Sequence, residues 1–271
     1  MTLPRSYLFV PGDRPERFAK ALASGADVVV LDLEDAVAPS VKAAARDAVA
    51  DFLATTDALE RLAVRVNDES TPWFEDDLAV VRAHAARAVM LPKAERAASV
   101  ARVRAACPGC AVLPLIESAR GVVAAALIAA SPGVQRLVFG TIDYALDMDL
   151  QGELASTVGL DAAASHLALA SRAADIAAPV AGVTVAIDDE TQLRADLTRA
   201  RAHGFAAKLC IHPKQIAAVH ALLAPSPDEL GWAERVLAAA DGAAGAAVQL
   251  DGRMIDKPVI ERARRIVQRA H

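Results

Sequence analysis

Two acids, each closing an apolar run, make the first chemical suggestion in this chain. Ala111-Val112-Leu113-Pro114-Leu115-Ile116 drives into Glu117, and Ser118-Ala119-Arg120-Gly121 opens a helix at once. About one strand–helix unit later, Arg136-Leu137-Val138-Phe139-Gly140-Thr141-Ile142 runs into Asp143. An apolar run bounded by turn signals reads as a buried parallel strand. Its carboxyl end is where an α/β barrel keeps its chemistry. Carboxylates at the ends of adjacent strands are the simplest oxygen pair for a hard divalent cation.

Other charged residues fall at equivalent places. Leu31-Asp32-Leu33-Glu34-Asp35 sets three acids within four positions at a strand end, and alternation sends Asp32 and Glu34 to one face. Buried acids need donors or a cation; for Glu34 and Asp35 a solvated loop is the plainer alternative. Arg65, flanked by Val64 and Val66, faces the barrel interior or the site. It suits two-pronged recognition of a carboxylate, either a substrate's or that of Asp32 or Glu34. Lys93 follows Leu91-Pro92 as a second cation at the rim, an electrostatic partner of the acids rather than a Schiff-base lysine. Asp13-Arg14-Pro15-Glu16 reads as a capping box opening the first helix, with Arg14 and Arg17 placed to meet a phosphate or to be solvated. His212, held extended before Pro213, is either a site histidine or a structural hydrogen bonder.

Positioning these groups requires strands and helices in alternation. Strand-like segments recur at Ser6–Val10, Val28–Leu33, Leu62–Val66, Ala88–Leu91, Ala111–Ile116, Arg136–Phe139, Val180–Val185 and Ala206–Ile211. Ala/Leu-rich stretches at helical spacing lie between them, so the count is that of an α/β fold of the (β/α)8 TIM-barrel type. Tyr144–Val158, with little periodicity, is expected as a loop over the mouth. The length of 271 residues allows such a barrel in residues 1–224 with an extension in 225–271. The net charge of −5 excludes a nucleic-acid groove or anionic membrane surface as the main partner. No run is long enough to span a membrane, and the first residues lack a signal peptide, which points to the cytoplasm. Three cysteines do not make a disulfide scaffold; Cys107-Pro108-Gly109-Cys110 falls between a helix and a strand, on the barrel face away from the chemistry.

Past the barrel, Pro225 and Pro227 mark a linker, and Leu250-Asp251-Gly252-Arg253 is a hairpin signature. Asp256 then caps a final amphipathic helix with Val259, Ile260, Ala263, Ile266 and Val267 on one face. That face must be buried somewhere, and a neighbouring subunit is one place.

Taken together, Arg5-Ser6-x-Leu8-Phe9-Val10-Pro11-Gly12, Leu31-Asp32-Leu33-Glu34-Asp35-Ala36-Val37, Val64-Arg65-Val66-Asn67, Leu91-Pro92-Lys93, Ile116-Glu117 and Ile211-His212-Pro213-x-Gln215 resemble the citrate lyase β-subunit-like proteins, within the HpcH/HpaI aldolase and malyl-CoA lyase superfamily. The resemblance implies a TIM barrel, trimeric or in multiples of three, that makes or breaks a carbon–carbon bond in a short 3-hydroxyacyl-CoA such as malyl-CoA or citramalyl-CoA. By it, Glu117 and Asp143 match Mg²⁺ ligands, and Arg65 matches the arginine on the substrate's carboxylate. Glu34 and Asp35 match acids that orient metal-bound water. Asp256 matches an acid reaching a neighbouring subunit's site. A thioester enzyme also needs contacts for a long phosphorylated cofactor, for which Arg14, Arg17 and the carboxy-terminal segment are the candidates. Relatives commonly carry Gly-Ala-Glu-Asp where this chain has Gly140-Thr141-Ile142-Asp143. The alternatives are a CoA-independent Mg²⁺ aldolase of 4-hydroxy-2-oxo acids and a non-catalytic lyase-like binding subunit.

Overall fold

A computed structural model describes residues 3–84, 86–242 and 248–270. Eight parallel strands close into a barrel in chain order: β1 (Ser6–Pro11), β2 (Val28–Asp32), β3 (Leu62–Arg65), β4 (Ala88–Leu91), β5 (Ala111–Ile116), β6 (Val138–Phe139), β7 (Val180–Ala181) and β8 (Ala207–Cys210), with β8 pairing back to β1. The helices are α1 (Phe18–Ala23), α2 (Lys42–Thr55), α3 (Phe74–His84), α4 (Ala97–Ala106), α5 (Ala119–Ala129), α6 (Thr141–Asp147), α7 (Glu153–Ala173), α8 (Glu190–Ala202) and α9 (Lys214–Leu223).

The period of two along each strand sorts side chains between the barrel interior and the helix layer. Tyr7, Val28, Val30, Ala63, Ala88, Met90, Leu113, Leu115, Val138, Val180, Ala207 and Leu209 form the apolar plug inside. Counting two residues on from that plug reaches Asp32 on β2, Arg65 on β3, Glu117 past β5 and Gly140 past β6. The charges are therefore the last inward rung of an otherwise apolar barrel, at its carboxyl-terminal end.

Two local expectations need correction. The segment after β6 is not a loop: α6 starts at Thr141 and α7 at Glu153. Tyr144 is buried edge-on against Phe139, with ring centroids 5.4 Å apart. That contact fixes a two-turn helix whose own periodicity is weak. The capping box at Asp13 does not form either. The turn at Pro15–Arg17 is 3₁₀, Arg14 occupies its cap position without a side-chain bond, and α1 begins only at Phe18. Asp13 therefore sits outside the cap, 3.8 Å from the guanidinium of Arg14.

Cys107 and Cys110 are free and buried in a turn closed by the Cys110 amide on the Cys107 carbonyl, 3.1 Å, at the amino end of β5. Cys210 is buried, its thiol pushed up to about 12 by burial. Among the described residues no helix is long and apolar enough to cross a membrane.

The chain forms two compact units, Pro4–Val219 and a second from His220 onward. The second unit holds α10 (Pro227–Gly242), the antiparallel pair β9 (Val248–Leu250) and β10 (Arg253–Ile255), and α11 (Lys257–Ala270). Asp251 and Gly252 both have positive φ, +51° and +75°, as a two-residue hairpin turn requires. The apolar face of α11 is covered within the unit, because Ala263 and Ile266 pack with Ala233, Val236 and Ile255. That face therefore does not itself call for a partner.

On β8, Lys208 points away from the plug and is buried, its ammonium on the carbonyl of Gly182. Burial pulls its pKa down to about 8. A lysine lowered from 10.5 to about 8 disfavours the folded state below pH 8, and the penalty of roughly 3 kcal/mol fades as pH rises from 8 to 10.5. Urea unfolding is expected to show stability rising across that window. Lys208→Met is expected to flatten this rise.

Candidate active site

The barrel mouth holds a cavity of about 440 Å³ lined by Phe9, Asp32, Asp35, Arg65, Glu117 and Asp143 among others. Its charged wall starts from strand register. Asp32 and Arg65 are direct neighbours on β2 and β3. Their side chains meet in a two-pronged pair, Nε to Oδ1 at 2.7 Å and Nη2 to Oδ2 at 2.6 Å. Nη1 of Arg65 lies 2.9 Å from Oε2 of Glu34. No N–H is aligned on that oxygen, so Oε2 is buried without a hydrogen bond. The Phe9 ring, 4.8 Å from the guanidinium carbon, stacks on Arg65. These carboxylates hold the guanidinium charged, its pKa above the ordinary arginine value despite burial.

Glu34 is delivered by the loop after β2. Its amide donates to Oδ1 of Asp32 at 2.9 Å, and the buried ammonium of Lys42 bonds the carbonyls of both Leu33 and Glu34 at 2.7 Å. Lys93 donates from Nζ to Oε1 of Glu34 at 2.7 Å. Burial raises the Glu34 pKa against the opposing pull of Arg65 and Lys93. Asp35 is exposed at the rim, 4.0 Å from Arg65.

Glu117 follows β5 directly and is 5% exposed. Its Oε1 accepts the backbone amide of Lys93 at 2.7 Å. Burial pushes its carboxyl up to about 8, reinforced by the charges of Glu34 and Asp143 and opposed by the Lys93 amide and by Arg65. Gly140 permits the approach of β6: a Cβ there would come 2.7 Å from Cβ of Glu117 and 2.8 Å from its Oε2. Asp143 does not end a strand but stands in the first turn of α6, where the helix dipole favours a carboxylate. Both acids line this cavity. They are hard oxygen donors, and an acid held near neutrality by burial and by other acids is one a divalent cation would relieve. Among the described residues no three His, Cys, Asp or Glu side chains gather as a closed cage.

The lining also holds apolar side chains: Leu115, Ile142, Val183, Leu209 and Ile211. The structure thus brings Glu34, Asp35, Arg65, Lys93, Glu117 and Asp143 together. Arg14 is exposed, paired with Asp13, and does not line the cavity. His212 acts as a hydrogen bonder at the start of α9, its Nδ1 accepting the Lys214 amide at 3.2 Å. Asp256 belongs to the second unit, where it is exposed and its Oδ1 accepts the Val259 amide at 3.3 Å, capping α11. Sequence reasoning missed Phe9, Lys42 and Gly140 as site residues. Parity with Tyr7 points to Phe9, and the pair Gly140–Asp143 hints at the close approach; nothing local marks Lys42.

Residues 5–213 match the family model described as HpcH/HpaI aldolase/citrate lyase, and residues 163–271 match one described as a C–C bond lyase of the TIM-barrel fold. A citrate lyase subunit beta-like protein of Mycobacterium tuberculosis is 40% identical, over 97% of this chain and 94% of its own length. A (3S)-malyl-CoA thioesterase of Cereibacter sphaeroides is 36% identical, over 98% and 94%. The crystal structure of protein CitE from M. tuberculosis, in complex with magnesium, acetoacetate and coenzyme A, superposes with a TM-score of 0.84 at 38% identity, covering 98% of each chain.

The Arg65 cluster predicts its own stability effect. Removing one member of a buried ion pair leaves its partners uncompensated and costs about 3–5 kcal/mol. Arg65→Met is expected to lose stability on that scale in urea unfolding. Arg65→Lys should recover only part, since an ammonium lacks the fork that serves both acids. A loss below about 1 kcal/mol, the range of an exposed pair, would mean the cluster is not buried in solution.

Proposed function

Because the chain belongs to the HpcH/HpaI aldolase/citrate lyase family, we propose that it is a Mg²⁺-dependent carbon–carbon lyase. Its substrate class is a short 3-hydroxyacyl-CoA such as malyl-CoA or citramalyl-CoA, cleaved to or formed from an oxo acid and an acyl-CoA, in the cytoplasm and as a homotrimer. The observation that carries the reading is Glu117, a buried carboxyl beside two other acids at the mouth of the barrel. The magnesium, acetoacetate and coenzyme A held by CitE support it.

Glu117 and Asp143 would hold the ion, leaving its other positions to water and substrate as Mg²⁺ prefers. When bound, the ion supplies Lewis-acid stabilisation of charge on a substrate oxygen. Arg65, locked by Asp32 through Nε and Nη2, offers the substrate's carboxylate Nη1, which lies beside Glu34 with no N–H aligned on it. Glu34 and Asp35 orient water at the mouth. Leu115, Val183, Leu209 and Ile211 keep bulk water from the reacting carbon. Asp256 of a neighbouring subunit moves the proton at the α-carbon of the thioester. The extension from residue 225 onward would pack there to deliver it.

The test incubates the purified chain with malyl-CoA and citramalyl-CoA, with and without Mg²⁺. Acetyl-CoA together with an oxo acid marks the lyase; free CoA would mark a thioesterase, and turnover only of free 4-hydroxy-2-oxo acids a CoA-independent aldolase. Glu117→Gln is expected to lower the Mg²⁺-dependent rate by at least about a hundredfold, and full activity in that variant would overturn the assignment.

Thermal unfolding gives a check without substrate. A carboxyl raised from 4.5 to about 8 contributes stability that is fully present below pH 4.5 and is lost as pH rises through 8. The metal-free chain should therefore lose Tm between pH 5 and 8 through this group, and added Mg²⁺ should restore more Tm at pH 8 than at pH 6. Glu117→Gln should show neither effect.

Asp256→Asn caps α11 nearly as well but cannot carry a proton. Mixed with Glu117→Gln chains, it is expected to regain activity through hybrid oligomers. Mixtures shown to exchange subunits yet staying inactive would leave Asp256 a cap.

A further inference from the structure

Lys93 stands out by its backbone. Four described residues other than glycine have positive φ, namely Lys93 at +46° and Asp149, Asp175 and Asp251 at +50° to +54°. Aspartate tolerates this region through its short polar side chain, but a lysine gains nothing locally from it. Such outliers persist where the surroundings over-determine them, and they gather at functional sites.

The chain around Lys93 is pinned to β5 on both sides. Leu91 pairs with Pro114 in the barrel ladder, Pro92 has a fixed φ, and the Ala94 amide donates to the Leu115 carbonyl at 3.1 Å. Between these points the left-handed turn aims the Lys93 amide at Oε1 of Glu117, 2.7 Å away. The ammonium of the same residue reaches Oε1 of Glu34, also at 2.7 Å. One strained residue thus joins two acids that come from β2 and β5.

We propose that Lys93 is a positioning residue for the metal centre: its ammonium, tied to Glu34, holds the left-handed backbone whose amide fixes the carboxylate of Glu117. The proposal rests on the reading of Glu117 and Asp143 as metal ligands. It opposes what charge alone would do, since an ammonium beside a cation site repels the cation, and every neutral variant would then bind it more tightly.

Isothermal titration calorimetry with Mg²⁺ alone separates these. Glycine adopts positive φ freely and retains the amide. Lys93→Gly is therefore expected to bind Mg²⁺ within about two-fold of the parent chain, although the ammonium is gone. Lys93→Ala loses the same ammonium but is left in a conformation that alanine avoids. It relaxes, the amide turns from Glu117, and affinity falls at least about five-fold below that of Lys93→Gly. Lys93→Asn, whose side chain tolerates this region, should fall with glycine. Equal affinities for the alanine, asparagine and glycine variants, whether tighter or weaker than the parent, would overturn the proposal. A parent chain that takes up no Mg²⁺ would overturn the metal reading itself and the proposal with it.

Discussion

The guanidinium of Arg65, gripped by Asp32 and facing Glu34, is the contact on which the barrel mouth depends. Three charges are buried there above a plug made only of apolar side chains. Singly, each would be too costly to remove from water. As a cluster Arg65 offsets one acid, Lys93 reaches the other, and Phe9 closes the face of the guanidinium. The grouping also leaves acid in excess: Glu117 lies beside it with no cation of its own beyond the reach of Lys93 and Arg65. That surplus is what gives the cavity an appetite for a divalent ion.

Strand parity explains why these residue types meet. Each barrel strand contributes an inward residue every second position, so a charge placed two steps beyond an apolar plug residue lands on a common rung. Arg65, Asp32 and Glu117 share that rung, Glu34 lies in the loop just past it, and Asp143 stands on the first turn of a helix.

Much of this was legible in the sequence because it follows from short periods. The ends of β4 and β5 are where the apolar runs stop, and Asp32, Arg65 and Glu117 are charged residues out of place in such runs. The shorter strands were harder. Arg136 reads as the start of β6, yet the strand holds only Val138–Phe139, and the buried Arg136 sets its guanidinium on the Ala178 and Pro4 carbonyls. Tertiary contact likewise made α6 a helix through Tyr144 and Phe139. Lys42 and the left-handed turn at Lys93 left no trace in local pattern: Lys42 reaches back across a loop to the Leu33 and Glu34 carbonyls, and Lys93 serves acids from β2 and β5. The membership in a lyase family was carried by several short motifs in register rather than by any one of them.

The second unit has a consequence of a different kind. Its helices α10 and α11 and the β9–β10 hairpin bury their apolar faces on one another, with Trp232 stacked by Arg262 at 5.2 Å. A segment that satisfies its own hydrophobic needs does not rely on its outward residues to stay folded. A substitution at the exposed Asp256 would therefore leave that core intact, so its role can be probed without unfolding the module that carries it. The rung of charges at the barrel mouth has no such latitude, because there the charges are themselves buried.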